Sequence, residues 1–327
     1  MDIAATADKI RTGDRRALAR AITLVESTRA QDRATAAGLL AQLGTQKQAL
    51  RIGLSGTPGV GKSTFIESFG MMLTGQGLRV AVLAVDPSST RSGGSILGDK
   101  TRMDLLSRDP NAFIRPSPSQ TQLGGVARRT REAIALCEAA DFDVVLVETV
   151  GVGQSETAVA EMSDLFLLLL APAGGDELQG VKRGIMETCD MILVNKADGD
   201  LKSQALRTCA DYASALRLMR KRSQDPPEFP KAVAVSALEN DGILAAWDDM
   251  KTLINWRKDN GVWDARRTQQ ARFWFHEEVR SGLLSRLTSD PAIKGKLDAL
   301  EDDVADGKTR PAQAAETLIA QFFTQGR

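Results

Sequence analysis

The sequence predicts an α/β protein with a doubly wound, mainly parallel sheet and helical extensions at both ends of the chain. Short apolar runs of strand length recur between residues 51 and 260 and alternate with helical patterns, which gives repeated βαβ units. The flanking regions show only helical periodicity. We therefore expect an N-terminal helical region at 1–50, an α/β domain at 51–260 and a C-terminal helical arm at 261–327.

The individual elements follow from local patterns. In region 1–50, Leu18, Ile22 and Val25 fall on one face of a helix, and we expect these helices to pack on the central domain. The two clearest helices of the central domain are predicted at 63–73 and 126–140. Strands are predicted at 52–55, 79–85, 144–147, 165–170, 191–194 and 232–235.

The C-terminal arm has its own apolar stripe. Phe275, Val279, Leu283 and Leu287 recur at four-residue spacing and so share one face of a helix. Helices this few and narrow either pack on the sheet domain or pair with a second copy of the chain. Of these two arrangements we favour pairing, and so predict a homodimer.

Composition excludes several classes of protein. Lys plus Arg equals Asp plus Glu at 42 each, so no overall field favours nucleic acid or a membrane surface as a partner. Three scattered cysteines and one histidine argue against a disulfide framework and against a zinc site. The chain shows no signal-peptide core, and its longest apolar run, 165–171, is too short to cross a bilayer. We expect a cytoplasmic protein.

A phosphate-binding loop follows the first predicted strand. Residues 56–63 fit the template Gly-x4-Gly-Lys-Ser, in which backbone N–H groups and the start of a helix bind phosphates. In this template Lys62 reaches the β- and γ-phosphates, and the Ser63 hydroxyl ligates Mg²⁺. The expected nucleotide contacts are Gly56, Thr57, Pro58, Gly59, Val60, Gly61, Lys62, Ser63 and Thr64.

A second motif selects the base. Asn195, Lys196 and Asp198 follow the predicted strand 191–194, and a carboxylate there can accept from both N1–H and the amino group of guanine. Ser236, Ala237 and Leu238 follow the next strand, where a backbone N–H can meet guanine O6. The two motifs favour GTP over ATP, with GDP and phosphate as the products of hydrolysis.

Acidic residues at two other strand ends are candidates for the Mg²⁺ side of the site. Glu148 ligates the ion directly or lies close to it, and Gly151 can contact the γ-phosphate through its N–H. Asp86 binds Mg²⁺ through water or polarises the attacking water, and Asp99 is a further Mg²⁺-side carboxylate. The alternative is that Asp86 only caps the turn and Asp99 is only solvated. The candidate catalytic residues are Lys62, Asp86 and Glu148.

These motifs together resemble the MeaB/ArgK-type P-loop GTPases, relatives of the human methylmalonic aciduria type A protein. The resemblance covers nearly the whole chain. Most GTPases have aspartate at position 148, and glutamate there is typical of that family. The segments that carry the resemblance are 56–63, 85–89, 93–100, 148–156, 172–180 and 195–198.

The resemblance implies a homodimeric GTPase chaperone of adenosylcobalamin-dependent methylmalonyl-CoA mutase. Such a protein gates cofactor loading by the adenosyltransferase and protects the mutase from inactivation. It also implies that Lys62, Ser63, Asp86, Asp99 and Glu148 form the phosphate and Mg²⁺ site. By the same resemblance, the loop 172–184 relays nucleotide state to the mutase and the arm 261–327 forms the dimer.

Two other functions stay open at this point. A P-loop kinase would transfer phosphate to a small molecule or a protein, but the sequence shows no separate substrate-binding lid. A GTPase that delivers metal to a hydrogenase or urease would need a tract rich in His or Cys, which one His and three scattered Cys do not provide.

Overall fold

The structure is a computed structural model that describes residues 2–44, 47–85, 103–116, 123–149, 155–172, 183–219, 222, 224–289 and 291–324. The backbone divides into two compact units, Met1–Arg267 and Thr268–Arg327. None of the described helices is both long enough and apolar enough to cross a membrane.

The first unit contains a seven-stranded sheet in the order β3-β2-β4-β1-β5-β6-β7, and every pairing in it is parallel. Because the chain builds first to one side of β1 and then to the other, the strand order reverses at β1. Ligands of such sheets bind at the carboxyl ends of the strands near that reversal. The strands are β1 Leu50–Ser55, β2 Val80–Val85, β3 Ala112–Pro116, β4 Val144–Thr149, β5 Leu165–Leu170, β6 Met191–Val194 and β7 Lys231–Ala234.

The central strands are covered on both faces, as their continuous apolar sequences predict. Every residue of β4, β5 and β6 is buried. Apolar side chains on both faces are typical of a parallel sheet between two helical layers. The helices of the first unit that lie wholly within it are Ile3–Arg11, Arg15–Glu26, Ala30–Leu43, Lys62–Gly75, Asp104–Arg108, Leu123–Ala139, Ser155–Met162, Arg183–Thr188, Lys202–Leu218 and Ile243–Asp259.

The N-terminal helices pack on the sheet domain, as predicted. All three contact the helix Leu123–Ala139. Glu26 at the end of the second helix also accepts a hydrogen bond from Arg115 of β3. Asp14 begins that helix by accepting from two backbone N–H groups, those of Arg16 and Ala17, which is an ordinary N-cap.

The structure confirms the predicted α/β class and moves several element boundaries. Strand 79–85 begins at Val80, and strand 232–235 lies one residue earlier, at Lys231–Ala234. The sequence prediction omitted the short helix Asp104–Arg108 and the strand Ala112–Pro116. That strand lies at the edge of the sheet, where five residues ending in proline give only a weak strand pattern.

An aspartate stands immediately before each of three strands and fastens the neighbouring strand. Asp143, Asp164 and Asp190 precede β4, β5 and β6, and each carboxylate accepts a backbone N–H across to the adjacent chain segment. The three donors are Arg79, Arg51 and Phe166, each at 2.8 Å. The amino ends of the strands therefore carry a repeated hydrogen-bonding device.

Two buried arginines and one half-buried arginine complete this edge of the sheet. Arg257, 2% exposed, donates to Asp225 at 2.8 Å and to Asp190 at 2.6 Å. Arg267 donates to Asp164 at 2.6 Å, and Arg51 pairs with the buried Glu138. The set Arg51, Glu138, Asp164, Asp190, Asp225, Arg257 and Arg267 is called the basal ion cluster below.

Acid should weaken the basal ion cluster. Burial raises the pKa of Asp190, but Arg257, Arg266 and Arg222 outweigh it and lower the pKa from 3.8 to about 2. Since the folded pKa is the lower one, this stabilisation is complete above the unfolded pKa and is lost as pH falls from about 4 to about 2. We expect the free energy of unfolding, measured in urea, to fall over that window. Asp190→Asn cannot titrate and should show a shallower fall, so an equal slope would contradict the prediction.

The second unit, Thr268–Arg327, is wholly helical in its described part. Helix Val262–Ser289 contains the boundary between the units, and Pro291–Ala305 and Pro311–Thr324 pack against each other. Both later helices begin at a proline, as expected for the first helical position. Phe275, Val279 and Leu283, which the sequence places on one stripe, are all exposed.

Candidate nucleotide-binding site

The loop between β1 and the helix Lys62–Gly75 requires glycine at two positions. Gly56 and Gly61 have positive φ angles of 154° and 89°. A Cβ on Gly56 would lie 2.3 Å from the Leu169 carbonyl oxygen, and one on Gly61 would lie 2.7 Å from Asn195 Nδ2. No other residue fits without moving backbone or the asparagine. The loop is therefore held tightly against β5 and against the loop that follows β6.

Lys62 is the first residue of the helix and bends back over its own loop. Its Nζ donates to the carbonyl oxygens of Gly56 at 2.6 Å and Thr57 at 3.2 Å. Burial lowers the pKa of Lys62, and the carboxylates of Glu148 and Glu156 partly oppose that shift. An ammonium group at a helix N-terminus, surrounded by backbone N–H groups, can bind an anion such as phosphate.

Asn195 joins the phosphate loop to the predicted base loop. Its Nδ2 donates to the Val60 carbonyl at 3.0 Å, and its Oδ1 accepts from the Ala237 backbone N–H at 3.0 Å. One buried side chain thus holds two loops that the sequence assigns to opposite ends of the nucleotide. The motif predicted Asn195 at the site, but not this bridge.

The base loop presents an oriented carboxylate. Ser236 Oγ donates to Asp198 Oδ2 and itself accepts from the Glu239 backbone N–H at 3.0 Å. The remaining acceptor positions of the carboxylate can receive two donors from one edge of a purine. Lys196 has a positive φ of 60° at the turn, and Leu238 is 76% exposed.

Two residues with oxygen ligands lie on the predicted Mg²⁺ side of the site. Glu148, 6% exposed, lies near the end of β4 in register with Leu54, and Ser63 is half-buried in the first turn of the helix. Both offer oxygen ligands of the kind Mg²⁺ prefers. Asp86, Asp99 and Gly151 lie outside the described residues. Among the residues that are described, no three His, Cys, Asp or Glu side chains form a metal-binding group.

A buried polar group that the sequence did not predict lies beneath the loop. Ser55, the last residue of β1, accepts from Thr149 Oγ1 at 3.0 Å and donates to Glu156 Oε1 at 3.4 Å. None of the three side chains is more than 2% exposed. The sequence signal was a polar residue, Ser55 or Thr149, at the end of an otherwise apolar strand.

Comparison with known proteins shows the family to which the chain belongs. The family described as methylmalonyl-CoA mutase-associated GTPase MeaB matches residues 18–292. The chain belongs to the MeaB family. The resemblance found in the sequence is therefore confirmed, and this MeaB-family protein is a P-loop GTPase.

Relatives match over nearly the whole chain. A putative GTPase of Caulobacter vibrioides is 50% identical over 98% of this chain and 98% of its own length. The mitochondrial methylmalonic aciduria type A homolog of Mus musculus is 49% identical over 95% of this chain and 77% of its own. A crystal structure titled LAO/AO transport system kinase shares 36% identity, with a TM-score of 0.74 over 98% of this chain and 97% of that one.

Proposed function

We propose that this MeaB-family GTPase is a chaperone of adenosylcobalamin-dependent methylmalonyl-CoA mutase. GTP hydrolysis gates cofactor loading by the adenosyltransferase and protects the mutase from inactivation. The observation that carries the proposal is the family match over residues 18–292, since the description of that family names association with the mutase. The mouse relative, whose name refers to methylmalonic aciduria, supports the same metabolic context. The scattered cysteines favour a cytoplasmic location.

The proposed roles of the site residues follow the geometry where it is described. Residues 56–64 bind the phosphates, with Lys62 at the β- and γ-phosphates. Ser63 and Glu148 would hold Mg²⁺, which neutralises the charge that develops on the phosphates when it is bound. Asp86, Asp99 and Gly151 keep the roles that the sequence predicts.

The guanine end is proposed on the hydrogen bonds around Asp198. Because Ser236 and the loop behind it fix one oxygen of Asp198, the carboxylate is preorganised to accept from guanine N1–H and the amino group. Asn195 and Lys196 support this loop, and Ser236, Ala237 and Leu238 line it.

Asp198→Asn should exchange guanine preference for xanthine preference. An amide can donate to xanthine O2 but cannot accept both guanine donors, so we expect affinity for GTP to fall by about 100-fold or more. Competition between GTP and XTP for a fluorescent nucleotide measures the change. The exposed Asp248→Asn, on the helix Ile243–Asp259, is the matched control. Retained GTP selectivity in Asp198→Asn would count against the base contact.

Homodimerisation is proposed through the arm. Phe275, Val279 and Leu283 are 64%, 44% and 45% exposed, and a second copy would cover such an apolar stripe. The stripe lies in Thr268–Arg327, a compact unit of its own.

Removal of residues 268–327 should yield a monomer by light scattering. The cut must leave Arg267, because its side chain pairs with the buried Asp164. The full-length double variant Val279→Glu, Leu283→Glu should also be monomeric, since each glutamate would be buried without a partner in the dimer. Dimers that persist in both proteins would refute the arm as the dimer interface.

The mutase proposal is tested by capture from native lysate. The full-length protein is immobilised with a non-hydrolysable GTP analogue or with GDP, and the bound proteins are identified by mass spectrometry. We expect a cobalamin-dependent mutase whose capture differs between the two nucleotides. Lys62→Ala is the control, and capture by that variant should not depend on nucleotide. Absence of any such mutase from both samples would reject the proposal.

A kinase function is the second candidate because the 36% identical solved structure is titled a transport system kinase. A kinase needs an acceptor that gains the phosphate lost by GTP. Incubation with γ-labelled GTP and lysate separates the two ideas: release of all label as inorganic phosphate opposes a kinase, and label on a protein or small molecule supports one.

A further inference from the structure

Glu156 lies at the end of a buried chain of hydroxyl groups beneath the phosphate loop. Thr149 Oγ1 donates to Ser55 Oγ at 3.0 Å, and Ser55 Oγ donates to Glu156 Oε1 at 3.4 Å. Thr149 Oγ1 also donates to the Leu54 carbonyl oxygen at 3.3 Å, so Ser55 is the hydroxyl of this pair that donates directly to the carboxylate. Glu156 is 2% exposed, so water does little to screen its charge.

The helix that carries Glu156 is held very close to β1. A Cβ at Gly53 would lie 2.6 Å from Ser163 Oγ and 2.8 Å from Val159 Cγ1, so only glycine permits this approach. Helix Ser155–Met162 also contacts β4. Glu156, in the first turn of that helix, is consequently fixed against the carboxyl end of β1 rather than free to swing into solvent.

This position places the carboxylate at the end of β1, where the phosphate-binding loop begins. Ser55, which donates to Glu156, is followed directly by Gly56, whose carbonyl accepts from Lys62 Nζ at 2.6 Å. Burial lowers the pKa of Lys62, and the negative charges of Glu148 and, after it, Glu156 attract the ammonium and oppose that shift. The same negative charge must repel an anion that binds in the loop above it.

We propose that Glu156 is a positioning residue whose buried negative charge weakens the binding of nucleotide phosphates and thereby speeds the release of GDP. The charge competes with the phosphates for Lys62 and opposes them directly. This inference goes beyond the chaperone proposal and rests only on the phosphate loop as the nucleotide site. A GTPase that signals by nucleotide state must release its product GDP. A fixed negative charge below the loop favours that release.

The test compares Glu156→Gln with the unchanged protein by fluorescent GDP titration and stopped-flow dissociation. Glutamine keeps the shape and the acceptor for Ser55 but removes the charge. We expect the Kd for GDP to fall about tenfold, GDP dissociation to slow to match, and the KM for GTP to fall without a rise in kcat. Glu156→Asp keeps the charge and should stay near the original affinity. An unchanged or weaker affinity in Glu156→Gln would overturn the proposal.

Two further variants separate charge from structure. Glu161→Gln makes the same chemical change at an exposed position of the same helix and should leave GDP affinity unaltered. Ser55→Ala removes the hydrogen bond and keeps the charge, so tightening equal to that of Glu156→Gln would also overturn the proposal. Thermal unfolding checks that each variant is folded. If Lys62→Ala does not weaken GDP binding, the phosphate-loop assignment fails instead, which is a distinct result.

Discussion

Lys62→Ala is expected to reduce the kcat for GTP hydrolysis by about 100-fold or more. Removing one preorganised charged donor from a developing anion typically costs two to three orders of magnitude. The ammonium is buried at the start of the helix Lys62–Gly75, where water screens its charge poorly. The phosphate-binding template is fitted by residues 56–63, so we expect little compensation from cations elsewhere in the chain. Release of inorganic phosphate under single-turnover conditions measures the change.

The matched control for this prediction is Lys251→Ala. Lys251 is half-exposed, and its ion pair with Asp248 lies on the surface. The Lys251→Ala protein should hydrolyse GTP at the original rate. Lys62→Ala also loses two hydrogen bonds to Gly56 and Thr57, so its thermal unfolding must be measured beside its activity. Turnover within about threefold of the original in a folded Lys62→Ala protein would remove the phosphate-loop assignment.

Arg257→Leu is expected to destabilise the protein by about 3–5 kcal/mol. The guanidinium donates hydrogen bonds to Asp190 and Asp225, which are 1% and 7% exposed. It also donates to the carbonyl oxygen of Asp164 at 2.9 Å. Leucine would leave the two buried carboxylates with Arg222, at 2.7 Å from Asp190 and 3.6 Å from Asp225, as the arginine that still pairs with them. The cost of such a substitution comes mainly from the charges that stay behind, rather than from the lost attraction.

Urea unfolding followed by circular dichroism measures this loss. The control is Arg108→Leu, which breaks the exposed helical pair of Arg108 with Asp104. Exposed pairs of this kind contribute about 0.3–0.5 kcal/mol. The triple variant Arg257→Leu, Asp190→Asn, Asp225→Asn removes the stranded charges and should regain part of the stability. A loss below about 1 kcal/mol in Arg257→Leu would show that the two aspartates find other partners.

The central sheet could be predicted from the sequence because its signal is local. A buried parallel strand is a short run of apolar residues, and 165–170 and 191–194 coincide with β5 and β6. The phosphate loop is equally local, since its spacing fixes both the glycines and the lysine. The edge strand Ala112–Pro116 is different: it has one neighbour, contains Arg115 and ends in proline, so its pairing with β2 supplies what its own pattern lacks.

The polar contacts beneath and behind the site could not be predicted because their partners are far apart in the chain. Arg257 and Asp190 are 67 residues apart, and Ser55 and Glu156 are 101 residues apart. One sequence signal was nonetheless present. Asp143, Asp164 and Asp190 each stand directly before an apolar strand, and an acidic residue at that repeated position suggests a carboxylate that fastens the next strand.

The basal ion cluster and the nucleotide site lie at opposite ends of the same strands. Asp164 and Asp190 precede β5 and β6, whereas the phosphate loop follows β1 and Asn195 follows β6. Substitutions that change the free energy of unfolding and substitutions that change nucleotide binding or hydrolysis therefore fall on residues separated by the length of a strand. Such separation makes their effects close to additive. Thermal stability can thus change through substitutions at one edge of the sheet while nucleotide binding and hydrolysis are kept, or changed separately, at the other.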